Sequence, residues 1–174
     1  MTQSIEQENR PALKIRPAAL TDASAIADIY NEAILTTTAT FDCEPKTVAE
    51  RITWLQEHDG RFPVLVAELE GKVVGFAALT RWSDRSAYDA TAESALYVHS
   101  TRQGKGIGRS LKTAIIDEAK RLGFHCLIAR VTEGSAASLH LNQQAGFVHV
   151  GTMKEVGEKF GRRLDVHILQ KILD

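Results

Sequence analysis

Six residues, Gln103-Gly104-Lys105-Gly106-Ile107-Gly108, constrain this chain more than any other stretch. An apolar strand pattern, Thr91 to Val98, runs just before them. The clearest helical pattern follows, with Ile107, Leu111, Ala114, Ile115, Ala119 and Leu122 on one face. Alternating glycines let the backbone approach a ligand closely. The first amides of a helix have no intrahelical partner, and the helix dipole there favours negative charge. A strand–turn–helix junction of this kind is a phosphate cradle, with Arg102, Lys105 and Arg109 adding charge at its edge. It is not a P-loop, because Lys105 precedes Gly106 rather than Ser or Thr. Nor is it a dinucleotide site: the third glycine of G-x-G-x-x-G is missing and the next strand carries no acid. The plainer alternative is a tight turn with surface basic residues.

The rest of the chain alternates between two periods. Leu13 to Arg16 reads as a first strand, and Thr21 as the N-cap of a helix with Ile26, Ile29, Tyr30 and Ala33 on one face. A Thr-rich loop ends at Phe41, and a second helix spans Thr47 to Glu57. Val64–Ala67 and Val73–Leu79 flank Glu70-Gly71-Lys72 as a hairpin. Cys126–Ala129 is a buried strand, Ser135–Ala145 a short helix, and Phe147–Thr152 and Leu164–Leu169 two closing strands. The order β-α-α-β-β-β-α-β-α-β-β predicts a three-layer α/β fold, a mixed, mostly antiparallel central sheet flanked by helices. One domain is expected over residues 1–174, with a loose tail at about 1–12.

Composition removes several function classes. The formal net charge is −1, without the basic excess of a nucleic-acid binder. No apolar stretch approaches the ~18 residues of a membrane span, and the polar start shows no secretory signal. Cys43 and Cys126 lie far apart and the six histidines match no metal spacing, so neither a disulfide nor a metal is expected. These features together predict a cytoplasmic protein.

Gln103-Gly104-Lys105-Gly106-Ile107-Gly108 fits the [QR]-x-x-G-x-[GA] signature, and the sequence resembles the GNAT acyltransferase superfamily over nearly its whole length. More narrowly it is similar to the phosphinothricin N-acetyltransferase branch. Three segments carry that likeness: Tyr30-Asn31-Glu32-Ala33-Ile34 with its Thr-rich loop, Trp82 to Ser94 matching W-x-x-R-x-A-Y-x-x-T-x-E-[ST], and Gly157 to Asp165 matching G-x-K-x-G-x-x-x-D. The resemblance implies that acetyl-CoA lies along Leu96, Tyr97 and Val98, with its pyrophosphate on Gln103, Gly104, Lys105, Gly106, Ile107, Gly108 and Arg109. It places Ser135 and Asn142 beside the coenzyme as well, and it suggests a homodimer with the C-terminal strands near the interface.

Acetyl transfer to an amine needs a group that takes the ammonium proton. Glu93 is the carboxylate in the strand Thr91–Val98, and an acid in such an apolar run is edge-exposed, paired or functional. With the resemblance it becomes the catalytic base, its pKa expected to rise through burial. Arg85 and Tyr88 are implied to hold the acidic end of a small amino acid or its phosphinate, sulfone or sulfoximine analogue, and Phe41 to wall the pocket. Two positions depart from the pattern: Ser135 stands where many members carry Asn, and Asn142 where the branch carries His and its relatives Tyr. Asn142 cannot act as an acid. Two other readings remain at this point. One keeps the chemistry but changes the acceptor to a polyamine, an antibiotic amine or a protein N-terminus. The other is an acyl-CoA-binding sensor without turnover.

Overall fold

Period-2 alternation along the inner strands sorts the apolar side chains onto the two faces of one sheet. Leu65, Ala67, Ala77 and Leu79 point one way, and Val64, Val66, Phe76 and Ala78 the other. Each set then requires its own helical cover. The computed structural model describes residues 12–58 and 60–174; the expected tail falls outside these but for its last residue. Its elements are β1 (Lys14–Pro17), α1 (Ala23–Thr36), α2 (Val48–Glu57), β2 (Val64–Leu69), β3 (Lys72–Arg81), β4 (Thr91–Val98), α3 (Ile107–Arg121), β5 (Cys126–Thr132), α4 (Ala136–Gln144), β6 (Val148–Lys159) and β7 (Arg162–Ile172). The seven strands form one sheet in the order β1-β2-β3-β4-β5-β7-β6. Only β4 and β5 pair in parallel, so the sheet is mixed and mostly antiparallel, as the sequence predicts.

α1 and α2 cover one face, where Ile26 and Ile29 pack on Val66, Phe76 and Ala78. α3 covers the other, inserting Ile107, Leu111, Ile115 and Ala119 among Ala77, Leu79, Ala92 and Leu127. Ile26, Leu111 and Ile115 are fully buried, and side chains of this size each contribute roughly 1.5–3 kcal/mol through burial. α2 opens on a capping box, in which Glu50 N–H donates to Thr47 Oγ1 and Thr47 N–H to Glu50 Oε2. Thr21 is not the cap of α1. A short 3-10 turn, Leu20–Asp22, precedes the helix, and Asp22 ties it down by accepting from Ala19 N–H and pairing with Arg16.

The final hairpin is longer than its apolar pattern predicts. β6 runs on to Lys159 through a break in register between Met153 and Gly157. The Asp165 carboxylate fills that break, accepting from Glu155 N–H at 2.8 Å and from Lys154 Nζ at 2.7 Å. A bulge satisfied by a side chain leaves no period-2 signal to read.

Lys112 stands on the core stripe of α3 and is only 2% exposed. Its Nζ donates to Ser94 Oγ at 2.9 Å and lies 4.2 Å from the centroid of the Phe147 ring. No carboxylate offsets its desolvation, which pulls its pKa down to about 7. The unfolded chain binds this proton up to about 10.5, whereas the folded one releases it near 7. Stability is therefore predicted to rise with pH between those values, this group contributing a slope of at most about 1.4 kcal/mol per pH unit. Denaturant titrations across that window test it: Lys112→Met should remove this part of the slope, and an unaltered slope contradicts the assignment.

Candidate active site

β4 and β5 keep each other as neighbours for only three residue pairs, Thr91↔Cys126, Ala92↔Leu127 and Glu93↔Ile128. Both continue past that point, β4 to Val98 and β5 to Thr132, so they part after Glu93. β3 holds the other edge of β4 from Ala92 to Val98, and β7 holds that of β5 along its whole length. The parting is thus built into the middle of the sheet. Leu96, Tyr97 and Val98 lie on its β4 side.

At the open end sits the glycine turn. α3 begins at Ile107 after Gly106, whose φ of 82° is a left-handed conformation that side-chain-bearing residues rarely adopt. The first helical amide bonded to a carbonyl is that of Ser110, to Gly106 O at 3.1 Å; Ile107, Gly108 and Arg109 carry the free amides of the helix start. The Gln103 side chain donates to Val98 O at 3.0 Å, which fixes the turn to the end of β4. Lys105 Nζ reaches Thr101 O at 3.3 Å. A β-carbon on Gly108 would stand 3.4 Å from Leu141 and 3.8 Å from Leu96, so α4 and β4 converge on the same turn.

α4 contributes Asn142, 5% exposed. Its Nδ2 donates to Ser138 O at 2.9 Å, while Oδ1 is buried with no partner among the described residues. A buried acceptor left unmatched is costly unless something else meets it. Ser135, at the head of α4, makes no capping bond with its hydroxyl. A left-handed turn, a row of free amides, a parted strand and an orphaned carbonyl oxygen together fit a long ligand with an anionic diphosphate and an amide-bearing arm.

On the α1–α2 face of the parting lies Glu93, its side chain 15% exposed. Of the alternatives left open by the sequence, edge-exposed, paired or functional, the structure shows it paired. Arg130, two residues beyond Ile128 on β5, grips it with both forks: Nε to Oε1 at 2.6 Å and Nη2 to Oε2 at 2.8 Å. The bond to Glu93 raises the guanidinium further above its ordinary range. Nothing in the sequence flags Arg130, since its partner is set by a cross-strand register that only the fold supplies.

Tyr97, on the same face as Glu93, belongs to an aromatic cluster with Tyr30, Phe76 and Trp54. Its side chain is held in that cluster, and its backbone lines the parting. Tyr30 donates to Asp42 Oδ2 at 2.5 Å and meets Thr40 Oγ1 at 2.9 Å. Burial, with Asp42 beside it, pushes this phenol up to about 12, and burial raises Tyr97 as well, so both stay protonated near neutral pH. Asn31 closes the far end of the same loop, exchanging bonds with the Lys46 backbone at 2.7 and 2.8 Å. The motif around Tyr30 and Asn31 is a pair of loop staples.

That loop carries Phe41, which lies directly on Gly157 of β6: a β-carbon there would stand 2.1 Å from the ring. Buried Lys159 donates to Thr40 O at 2.8 Å. The terminal hairpin therefore clamps the α1–α2 loop, which explains why glycine and lysine occur at these two positions. Arg85 and Tyr88 lie in the loop before β4, both exposed, with no side-chain partner among the described residues. The structure brings Glu93, Leu96, Tyr97 and Val98 to one parting, with the glycine turn at its open end and α4 against that turn through Leu141; Arg85 and Tyr88 precede the strand that carries Glu93.

The model of the Acetyltransferase (GNAT) family matches residues 26–147. The chain is 41% identical to the L-amino acid N-acyltransferase MnaT of Escherichia coli (strain K12), over 93% of this chain and 95% of that one. It is 38% identical to a phosphinothricin N-acetyltransferase of Streptomyces viridochromogenes, over 94% and 89%. A crystal structure of an acetyltransferase from Salmonella typhimurium, solved with acetyl-CoA, superposes with a TM-score of 0.91 at 39% identity, covering 94% of this chain and 95% of that one. With the matched family model, the shared fold and the glycine turn in place, this chain belongs to the GNAT acetyltransferase family.

Proposed function

We propose that the protein transfers an acetyl group from acetyl-CoA directly to the α-amino group of a small amino acid, or of a phosphinothricin, methionine sulfone or methionine sulfoximine type analogue, with both substrates bound together. The observation that carries this reading is Glu93, a carboxylate at the point where β4 and β5 part, one strand length from a helix start with free amides. Acetyl-CoA supplies an acetyl group activated as a thioester. Ile107, Gly108 and Arg109 amides hold its diphosphate, with Gln103, Gly104, Lys105 and Gly106 shaping the cradle. The backbone of Leu96, Tyr97 and Val98 takes the pantetheine arm, and Asn142 Oδ1 accepts one of its amide N–H groups. The Ser135 hydroxyl faces the same ligand.

Glu93 accepts the ammonium proton, directly or through one water. Arg85 and Tyr88 hold the acidic end of the acceptor, and Phe41 walls it. Asn142 has no proton to give, so solvent protonates the departing thiolate; a thiol of pKa ~8.5 is a tolerable leaving group. We place the protein in the cytoplasm as one domain over residues 1–174, acting on small molecules rather than on nucleic acid or membrane. In support of the location, no described helix is long and apolar enough to cross a membrane. We also propose a homodimer. It is supported by Val148, Val150, Met153 and Val156, exposed apolar residues along the last strand of the sheet.

Three measurements test this. Gly106→Asn keeps the left-handed backbone accessible and sets a side chain over the cradle; calorimetry should show acetyl-CoA binding weakened at least about tenfold in a folded protein, and unchanged affinity defeats the cradle. Arg85→Ala should raise the acceptor KM about 10–150-fold and spare the coenzyme KM, the loss of a charge-assisted pair being typically worth ~1.5–3 kcal/mol. Glu93→Gln should lower kcat near neutral pH by about 10²–10⁴-fold, part of which returns at high pH where the amine is already free. Retention of most of kcat, with chemistry shown to limit the rate, removes Glu93 as the base.

A further inference from the structure

Glu93 faces an electrostatic difficulty as a base. Both of its carboxylate oxygens are already committed, at 2.6 and 2.8 Å, to Arg130. Each oxygen keeps a second acceptor site, but an ammonium that is to hand its proton to Glu93 competes with Arg130 for the same negative charge, and taking the place of the guanidinium on an oxygen frees a donor. The displaced guanidinium N–H then needs a new acceptor, since an unmatched donor beside a nearly buried acid is unfavourable. A simple amine brings no acceptor. An α-amino acid brings one on the same carbon that carries its ammonium.

Arg130 is placed to follow such a ligand. Its side chain is 53% exposed, against 15% for Glu93, so the arginine is the solvent-facing member of the pair. It stands on β5 just past the last β4–β5 pair, Glu93↔Ile128, and the ion pair therefore crosses the mouth of the parting. Both side chains lie on the sheet face covered by α1 and α2: their alternates Ala92, Leu127, Ala129 and Val131 pack in the core under α3.

We infer that Arg130 is the α-carboxylate receptor of this enzyme: the free acid–base pair Glu93–Arg130 opens around a zwitterionic amino acid, whose ammonium replaces Arg130 on Glu93 while its carboxylate replaces Glu93 on Arg130. No covalent bond is made or broken in this exchange, and every charge keeps a partner throughout. This moves Arg85 and Tyr88, placed above on the acidic end of the acceptor, to its phosphinate, sulfone or sulfoximine end, so the two ends are read by two arginines. The assignment rests on the function proposed above and extends it to a substrate class: free α-amino acids, in preference to amines without a carboxylate and to peptide N-termini, whose α-carbonyl is a neutral amide.

The test uses one pair of acceptors, L-methionine sulfone and its decarboxylated analogue 3-(methylsulfonyl)propan-1-amine. Both are titrated by calorimetry into wild-type and Arg130→Gln protein saturated with coenzyme A, and both are assayed for acetylation with acetyl-CoA. The substitution is at a half-exposed side chain, and a thermal melt checks that the variant is folded. Arg130→Gln should weaken binding of the amino acid about 10- to 100-fold and raise its KM alike, while affinity for the amine changes less than about threefold. Arg130→Lys, which keeps the charge without the fork, should recover part of the loss. Equal weakening of both compounds means that Arg130 only positions Glu93, and unchanged affinity for the amino acid means that it plays no part; either result overturns the inference while leaving the proposed function intact. If the wild-type enzyme neither binds nor acetylates methionine sulfone or any other amino acid offered, the proposed function falls first, and this inference with it.

Discussion

The separation of two neighbouring strands in mid-sheet is the constraint on which the rest of this molecule depends. Peptide groups inside a sheet require partners, and β4 stops finding them in β5 after Glu93. Such a gap survives only because each strand is anchored on its far edge, β4 by seven register positions with β3 and β5 by seven with β7. It creates a polar slot through an otherwise apolar layer. α3 starts at one end of the slot, α4 leans an unmatched amide oxygen toward the same region, and an ion pair spans the other end. A ligand that supplies the missing hydrogen bonds completes the sheet.

How much of this was legible in the sequence differs by kind of signal. The order of elements was legible throughout, because the switch from 3.6 to 2 in apolar period is a local property and each long element carries several repeats of it. The glycine turn was legible for a similar reason: its backbone demands leave glycines at fixed offsets. Arg130 was not. Within Cys-Leu-Ile-Ala-Arg-Val-Thr it is one charge in an apolar strand, and its meaning lies 37 residues away in Glu93. Lys112 was equally opaque: it stands on the core stripe of α3, but a lysine carries no apolar signal to the pattern, and its burial shows only in the fold. The bulge filled by Asp165 and the short turn before α1 belong with these, since each is held by a side chain acting on a backbone group elsewhere.

Resemblance located motifs whose work the structure then reassigns. Tyr30 and Asn31 fasten the two ends of one loop, Gly157 makes room for Phe41, and Lys159 caps the carbonyl of Thr40. None of these residues needs to touch a reacting atom. They fix the position of the α1–α2 loop and of the Phe41 ring it carries. Much of what looks like a catalytic signature in this chain is thus scaffolding around very few chemical groups.

The clamp between Lys159 and the Thr40 carbonyl joins residues 119 positions apart. A chain emerging from the ribosome exposes the α1–α2 loop early and the β6–β7 hairpin late. Until that hairpin arrives, Phe41 has no glycine to rest on and the loop no cation on its carbonyl. The glycine turn and α3 come out well before it. Nascent chains of this protein therefore complete the glycine turn and α3 before the residues that hold the α1–α2 loop in place have been made.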